Sequence, residues 1–433
     1  MNKKNIIPDR KTPPGINPVR NLNWYNPEKQ FLDNGMNLYI FRDSTLDATQ
    51  LNISFYGGTY TEQKPLAAST VIGTLQEGTK KHTAMEIARQ FDFWGSYLKT
   101  SASNDNLDIS LFFLNRYAHE NLELITEIIR EPCFPENEVA IYLNNRLEEW
   151  RIRQEQVAWL SRKHFLERIF GEKHPYGRSY QAKDFQTVQT DDLEQYYRLH
   201  LQPANGFCIL SGNITATILN EVKNTLGSIS MPASQRGRSI EAIPVQSSTP
   251  GIISIKKPNA LQTAITVGKK LFNRNHRDYA GFQIMNTILG GYFGSRLMQN
   301  LRENKGLTYG IYSSLSSFRF DGLFSIQGEV DTAGRDTALQ EIFYEIEQLR
   351  KEKVPDHELQ LVKNYHMGNL LQAFDGVMNK ADLTRSLLIT YTPFDYFSRL
   401  TKEINAVTPE KIRSLAQKYL DPESLTVVTA GPK

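Results

Sequence analysis

The 433-residue chain is 40% hydrophobic and 11% aromatic, with 50 Lys+Arg against 47 Asp+Glu for a formal charge of +3. This composition suits a globular protein of two domains and excludes the low-aromatic, high-charge signature of a disordered chain. The charges are interspersed without blocks of one sign, so no nucleic-acid or membrane partner is expected, and Cys133 and Cys208 alone make neither a disulfide framework nor a CxxC metal or redox pair.

In chain order, Met1 to Arg20 carries Lys3, Lys4, Pro8, Pro13, Pro14 and Pro18 and has no apolar run of signal-peptide length. No later segment is long enough to span a bilayer, so the expected location is cytoplasmic, or periplasmic if a signal was removed before Met1. Trp24 and Tyr25 fall in a Pro- and Asn-rich start that is expected either to pack on a partner or to stay disordered. The first half then reads as a strand over Leu51–Tyr56, an apolar helix over Leu66–Leu75 and a strand over Leu107–Leu114. Helices follow at Glu120–Arg130, Glu136–Glu155 and Asp191–His200, before a closing strand. In Glu136–Glu155, Val139, Leu143, Leu147 and Trp150 fall at helical spacing with charge opposite.

Gly227–Gly251 is rich in Ser, Pro and Gly and reads as a linker too polar to pack. The second half repeats the order of the first: a strand at Ala264–Val267, a helix at Tyr279–Leu289, and a strand at Leu323–Val330. Helices at Thr337–Glu352, Asp356–Gln372 and Pro409–Leu420 precede a last strand. Short sequence anchors support the repeat. Phe134-Pro135-Glu136-Asn137-Glu138-Val139 parallels Val354-Pro355-Asp356-His357-Glu358-Leu359, and Pro203 to Gly212 parallels Pro422 to Gly431. The expected architecture is α+β: two homologous domains, residues 1–226 and 252–433 around linker 227–251, each a mainly antiparallel sheet with helices on one face.

Neither HExxH, nor HxxEH, nor a His pair at i, i+4 occurs among the eight histidines, and GxSxG is absent. Gly290-Gly291-Tyr292-Phe293-Gly294 follows an apolar helix and matches no nucleotide-binding pattern; a helix end and turn explains it as well. The run Ser295-Arg296-Leu297 to Leu301-Arg302-Glu303, then Gly306-Leu307-Thr308-Tyr309, reads as a short helix ended by Gly306 before a strand. Spacing alone leaves Arg302 a solvated side chain and Tyr309 a half-buried one.

That run, the repeated halves, the His174-Pro175-Tyr176-Gly177-Arg178 stretch and the Ala204–Asn213 strand together resemble the pitrilysin/insulinase/mitochondrial processing peptidase family of zinc peptidases, the inverzincins. The resemblance covers nearly the whole chain and implies one active site built from two facing halves. One half supplies HxxEH and a further Glu for zinc and the general base, and the other supplies an Arg and a Tyr that hold the substrate carbonyl and its oxyanion. Arg302 and Tyr309 match that pair. Where the family reads HFLEHMLFKGT, however, this chain reads Ser69-Thr70-Val71-Ile72-Gly73-Thr74-Leu75-Gln76-Glu77-Gly78-Thr79. Ser69 and Gly73 stand at the His positions and Ile72 at the base, while Glu148 or Glu149 occupies the region of the remaining ligand.

The resemblance therefore implies a metal-free, non-catalytic subunit, with no cofactor of its own and zinc in a partner. It would bind peptide substrates and lend Arg302 and Tyr309 to an HxxEH-containing homologous subunit. The alternative it leaves is a structural or peptide-binding pseudo-peptidase, like the family's core proteins, with no part in catalysis.

Overall fold

A computed structural model describes residues 24–45, 47–230, 240–246 and 249–432. The first sheet contains β1 (Glu28–Phe31), β2 (Asn37–Arg42), β3 (Ala48–Tyr56), β4 (Tyr97–Ala102), β5 (Asn106–Leu114) and β6 (Gly206–Gly212). The second contains β7 (Ile252–Lys256), β8 (Gln262–Leu271), β9 (Thr308–Ser317), β10 (Gly322–Asp331) and β11 (Thr426–Gly431). Their spatial orders are β1-β2-β6-β3-β5-β4 and β7-β11-β8-β10-β9. Without β1 the two orders are the same, and each sheet has its one parallel pair at the same place, β2 with β6 and β7 with β11. The mainly antiparallel repeat read from the sequence is thus present strand for strand.

The helices of the first half are α1 (Ala67–Gly73), α2 (Ala84–Trp94), α3 (Ala118–Arg130), α4 (Glu136–Gln154), α5 (Val157–Phe170), α6 (Asp184–Thr187), α7 (Thr190–His200) and α8 (Ala216–Thr225). Those of the second are α9 (Tyr279–Asn286), α10 (Arg335–Lys351), α11 (Asp356–Ala373), α12 (Val377–Ile389), α13 (Tyr396–Ala406) and α14 (Pro409–Tyr419). Start signals are local: Thr83 caps α2 in a capping box with Glu86, and Thr408 caps α14 with Pro409 at its first position.

Side chains alternate along a strand, so each sheet has two faces to cover. On the first sheet, Leu38, Ile40, Leu51, Ile53, Cys208 and Leu210 pack beneath helices of their own half. The opposite face, with Tyr39, Phe41, Phe207 and Ile209, is covered by Val377 and Ala381 of α12, a helix of the other half. The second sheet mirrors this. Ile265, Val267 and Phe324 face their own helices, while Ala264, Val428, Ala430 and Leu323 meet Val157, Leu160 and Phe165 of α5 from the first half. Burial of both faces leaves β6 and β11 without an exposed residue. Val157 and Val377 head these exchanged helices 220 positions apart, the same separation as Pro135 and Pro355.

Polar contacts fix the exchange. The Ser161 hydroxyl on α5 donates to the Val428 carbonyl at 2.9 Å and bonds the Thr266 hydroxyl at 2.8 Å. Arg385 on α12 pairs with Asp108 on β5 at 2.7 Å.

Two expectations need correction. Trp24 packs within its own chain: its half-buried ring lies 5.1 Å from Phe397 and 5.4 Å from Phe374, against the second half's core. Nor is 227–251 simply too polar to pack. Ile229 is buried, Ile240 and Val245 pack against the Tyr60 cluster, and Ile243 bonds both Tyr60 and His174. The segment before Trp24, with Lys3, Lys4, Pro8, Pro13, Pro14 and Pro18, and within 227–251 the residues 231–239, 247 and 248, lie outside the described residues.

Candidate functional site

Arg302 lies on a wide π-type turn, Met298–Asn304, anchored by the fully buried side chains of Met298 and Leu301 and of Leu297 just before it. This turn is pinned from the side. Arg296 makes a two-pronged pair with Glu358 at 2.9 and 2.7 Å, and Asn300 donates to Glu345 at 2.7 Å. A second wide turn, Thr287–Gly291, precedes it and is held by His366, whose Nε2 lies 2.6 Å from the Thr287 hydroxyl. Burial pushes the His366 imidazole down to about 4, so it stays neutral near pH 7. Gly306 ends the run at φ +60, with its N–H donating to the Arg302 carbonyl and that of Leu307 to the Leu301 carbonyl. Gly306→Ala is expected to cost about 1 kcal/mol, because only Gly adopts this conformation freely. Urea unfolding checks it, and an unchanged midpoint would show the closure is not constrained by that residue.

This closure sets Arg302 between two rings. Its Cζ is 4.7 Å from the Phe293 centroid and 5.2 Å from the Tyr309 centroid. Tyr309, at the start of β9, is 88% exposed, and Phe293 is 62% exposed. Tyr309 is therefore not the half-buried residue that spacing alone suggested. Among the described residues the Tyr309 hydroxyl has no hydrogen-bond partner, and the ion pair of Arg302 is a loose one, 3.5 Å from Nε to Glu303. The guanidinium is oriented by stacking while its N–H groups remain available. A donor fork beside a free phenol can bind a carbonyl oxygen or an oxyanion.

The other predicted cluster sits on α1 and α4. The Ser69 hydroxyl donates to the Leu66 carbonyl at 3.1 Å. Ile72 points into the core at 2% exposed. A Cβ on Gly73 would lie 2.4 Å from the Tyr142 ring, and the Tyr142 hydroxyl donates to the Ser69 carbonyl at 3.0 Å. Tyr142 thus fills the space that a side chain at position 73 would need. One and two turns further along α4 come Arg146 and Glu149, paired at 2.8 Å. Glu148 instead pairs with Arg151. The sequence reading missed Tyr142, although its spacing to Arg146 and Glu149 places all three on one helix face.

Zinc does not fit this donor set. A neutral hydroxyl already bonded to backbone, an alkyl side chain, a bare glycine and a carboxylate held by Arg146 cannot make a tetrahedral site. Grafting Ser69→His, Ile72→Glu and Gly73→His together is expected to lower the melting temperature and leave zinc unbound after dialysis. Stoichiometric zinc in that variant would overturn the assignment of Tyr142 as the blocking group.

Behind α1 is a buried charge network that the sequence search also missed. The Glu62 side chain is fully buried and accepts from Arg178 at 2.9 Å, from Tyr180 at 2.8 Å and from the Ala68 N–H at 3.2 Å. His174 and Tyr176, of the same HPYGR stretch, bond the Ile243 carbonyl and Asp105. That stretch is scaffold: it ties the segment before α1 to the rest of the chain. No hydrogen bond, ion pair or ring contact recorded among the described residues joins the Arg302–Tyr309 group to the Ser69–Glu149 group.

Residues 187–365, which include Arg302 and Tyr309, match the family model described as Peptidase M16 inactive domain. Two curated relatives align over most of the chain. The Non-peptidase homolog YmxG of Helicobacter pylori is 20% identical over 87% of this chain and 87% of its own. The Uncharacterized zinc protease YmxG of Bacillus subtilis is 22% identical over 79% and 82%. Among solved structures, a peptidase M16 inactive domain from Pseudomonas fluorescens superposes with TM-score 0.86 at 23% identity, covering 94% of this chain and 99% of that one. A chain of Complex III2 from Candida albicans does so with TM-score 0.74 at 13% identity, covering 94% and 96%. In fold, and over residues 187–365 in sequence, the chain is similar to inactive members of the M16 peptidase family, and its degenerate site offers no donor set for zinc.

Proposed function

We propose that this chain is the non-catalytic subunit of a two-component peptidase, paired with a homologue that carries HxxEH. Arg302 and Tyr309 then bind the scissile carbonyl of a peptide and stabilise the oxyanion as it forms. The observation that carries this reading is the Arg302 stack: a guanidinium oriented by Phe293 and Tyr309, with its donors unspent and a free phenol beside it. Groups aimed in advance at developing charge contribute most to the rate, because they need no reorganisation during reaction.

The test is reconstitution. The isolated chain is expected to leave a peptide library intact, and turnover by an HxxEH-bearing homologue is expected to rise when the two are mixed. A homologue that cleaves equally well alone would favour the second reading, a structural or peptide-binding pseudo-peptidase. The likeness of fold to a chain of Complex III2 keeps that reading in play.

A further inference from the structure

A pocket of about 380 Å³ opens beside the degenerate metal position, between α4, α5 and the Gly177–Tyr180 stretch. Its size is that of a small-ligand site. Its wall carries five cationic side chains, Arg146, Arg153, Arg162, Lys163 and Arg178, against one carboxylate, Glu149. That carboxylate is already shared, at 2.8 Å from Arg146 and 3.9 Å from Arg153. Arg178 is engaged by Glu62 behind the wall, and Lys163 lies 3.8 Å from Glu167 and over the Trp159 ring.

Arg162 differs from these. Among the described residues it has no ion pair and no hydrogen bond, and it lines this wall with its side chain open to solvent. Partial desolvation by the surrounding wall lowers its basicity and no carboxylate offsets that. The remaining surface is aromatic: Trp150, fixed by its indole N–H donating to the Tyr180 carbonyl at 3.2 Å, with Trp159 and Tyr180. Concentrated positive charge in a concave, part-apolar site costs self-repulsion unless an anion enters, and guanidinium forks match carboxylate geometry.

From this geometry we infer that the first half has exchanged a cation site for an anion site: the pocket binds a carboxylate-bearing peptide segment, with Arg162 and Arg153 gripping an acidic side chain and the two tryptophans packing an apolar neighbour. The inference does not depend on the role of Arg302 and Tyr309, which lie in the other half.

Trp150 and Trp159 are two of the four tryptophans in the chain, so intrinsic fluorescence reads the site directly. The full chain is titrated with a blocked six-residue peptide alternating Glu and Leu, with its Gln-for-Glu counterpart, and with inorganic phosphate. The acidic peptide is expected to saturate the signal at least 10-fold more tightly than the Gln peptide, and raising salt is expected to weaken it. Arg162→Ala is expected to weaken it at least 10-fold at unchanged melting temperature, because no intramolecular partner is lost, and Arg162→Lys is expected to recover part of the affinity. Equal binding of the two peptides, or an indifferent Arg162→Ala, overturns the proposal. So does phosphate that binds as tightly as the acidic peptide, since the site would then serve a simple inorganic anion.

Discussion

In a reconstituted mixture with an HxxEH-bearing homologue, Arg302→Ala is expected to lower kcat/KM for peptide cleavage about 10²-fold, the equivalent of about 3 kcal/mol of transition-state stabilisation. The size follows from the stack. A guanidinium fixed between Phe293 and Tyr309 loses little rotamer freedom when it grips an oxygen, so its charge-assisted bonds act with little entropic offset. Tyr309→Phe keeps the ring and deletes only the hydroxyl, so its loss is expected to be comparable and to fall on kcat. Arg302→Lys is expected to rescue poorly, because an ammonium neither stacks as a plane nor presents a fork. Subunit association is measured alongside by sedimentation. If Arg302→Ala leaves turnover of a fully associated mixture unchanged, the pair is vestigial and the catalytic role is withdrawn.

Arg178→Ala is expected to be among the most damaging single changes to stability, at about 3–5 kcal/mol near neutral pH. The cause is less the loss of an ion pair than what remains: a carboxylate at Glu62 with no exposed surface, held by Tyr180 and the backbone N–H groups of Ala68 and Leu66. Burial pushes the Glu62 carboxyl above its ordinary range in the intact protein, with Arg178 and Tyr180 pulling it back. Without Arg178 it rises further. A carboxyl whose folded pKa is raised contributes its stability below the unfolded value, near 4.3, and loses it as pH rises through the folded value. The difference between wild type and Arg178→Ala should therefore be largest at neutral pH and shrink as the medium is acidified toward pH 5. Urea titrations of both proteins across that range check the sign. A difference independent of pH would mean that Arg178 acts through packing or its bonds to the Thr59 and Glu62 carbonyls instead.

Much of this architecture was legible from local pattern. Strands such as Leu107–Leu114 alternate in burial, and helices such as Asp356–Gln372 are bounded by Pro and acidic residues, so their ends came out within a residue or two. Arg302 was found through resemblance; its seating between two rings was not, because Phe293 belongs to a glycine-flanked turn that sequence reading left as punctuation. The exchange of α5 and α12 was invisible for a different reason. Val157 and Leu160 mark an apolar stripe, but a stripe does not say which of two similar sheets it will cover. Glu62 and Arg178 lack periodic neighbours, and a charge in a loop reads as solvated until the wall behind it is seen.

Each half roofs one sheet of the other, and this bears on how the molecule can move. A hinge between the halves would have to pull α5 off β8 and β11 and α12 off β2 and β6 together, stripping two apolar faces and the Ser161 and Arg385 contacts at once. The chain should therefore behave as a single stiff jaw, melting in one cooperative step. On the proposed pairing with an HxxEH-bearing homologue, admission and release of a peptide would come from the joint between the two chains, so the tightness of that association, more than any flexing within this chain, would set how often the site opens.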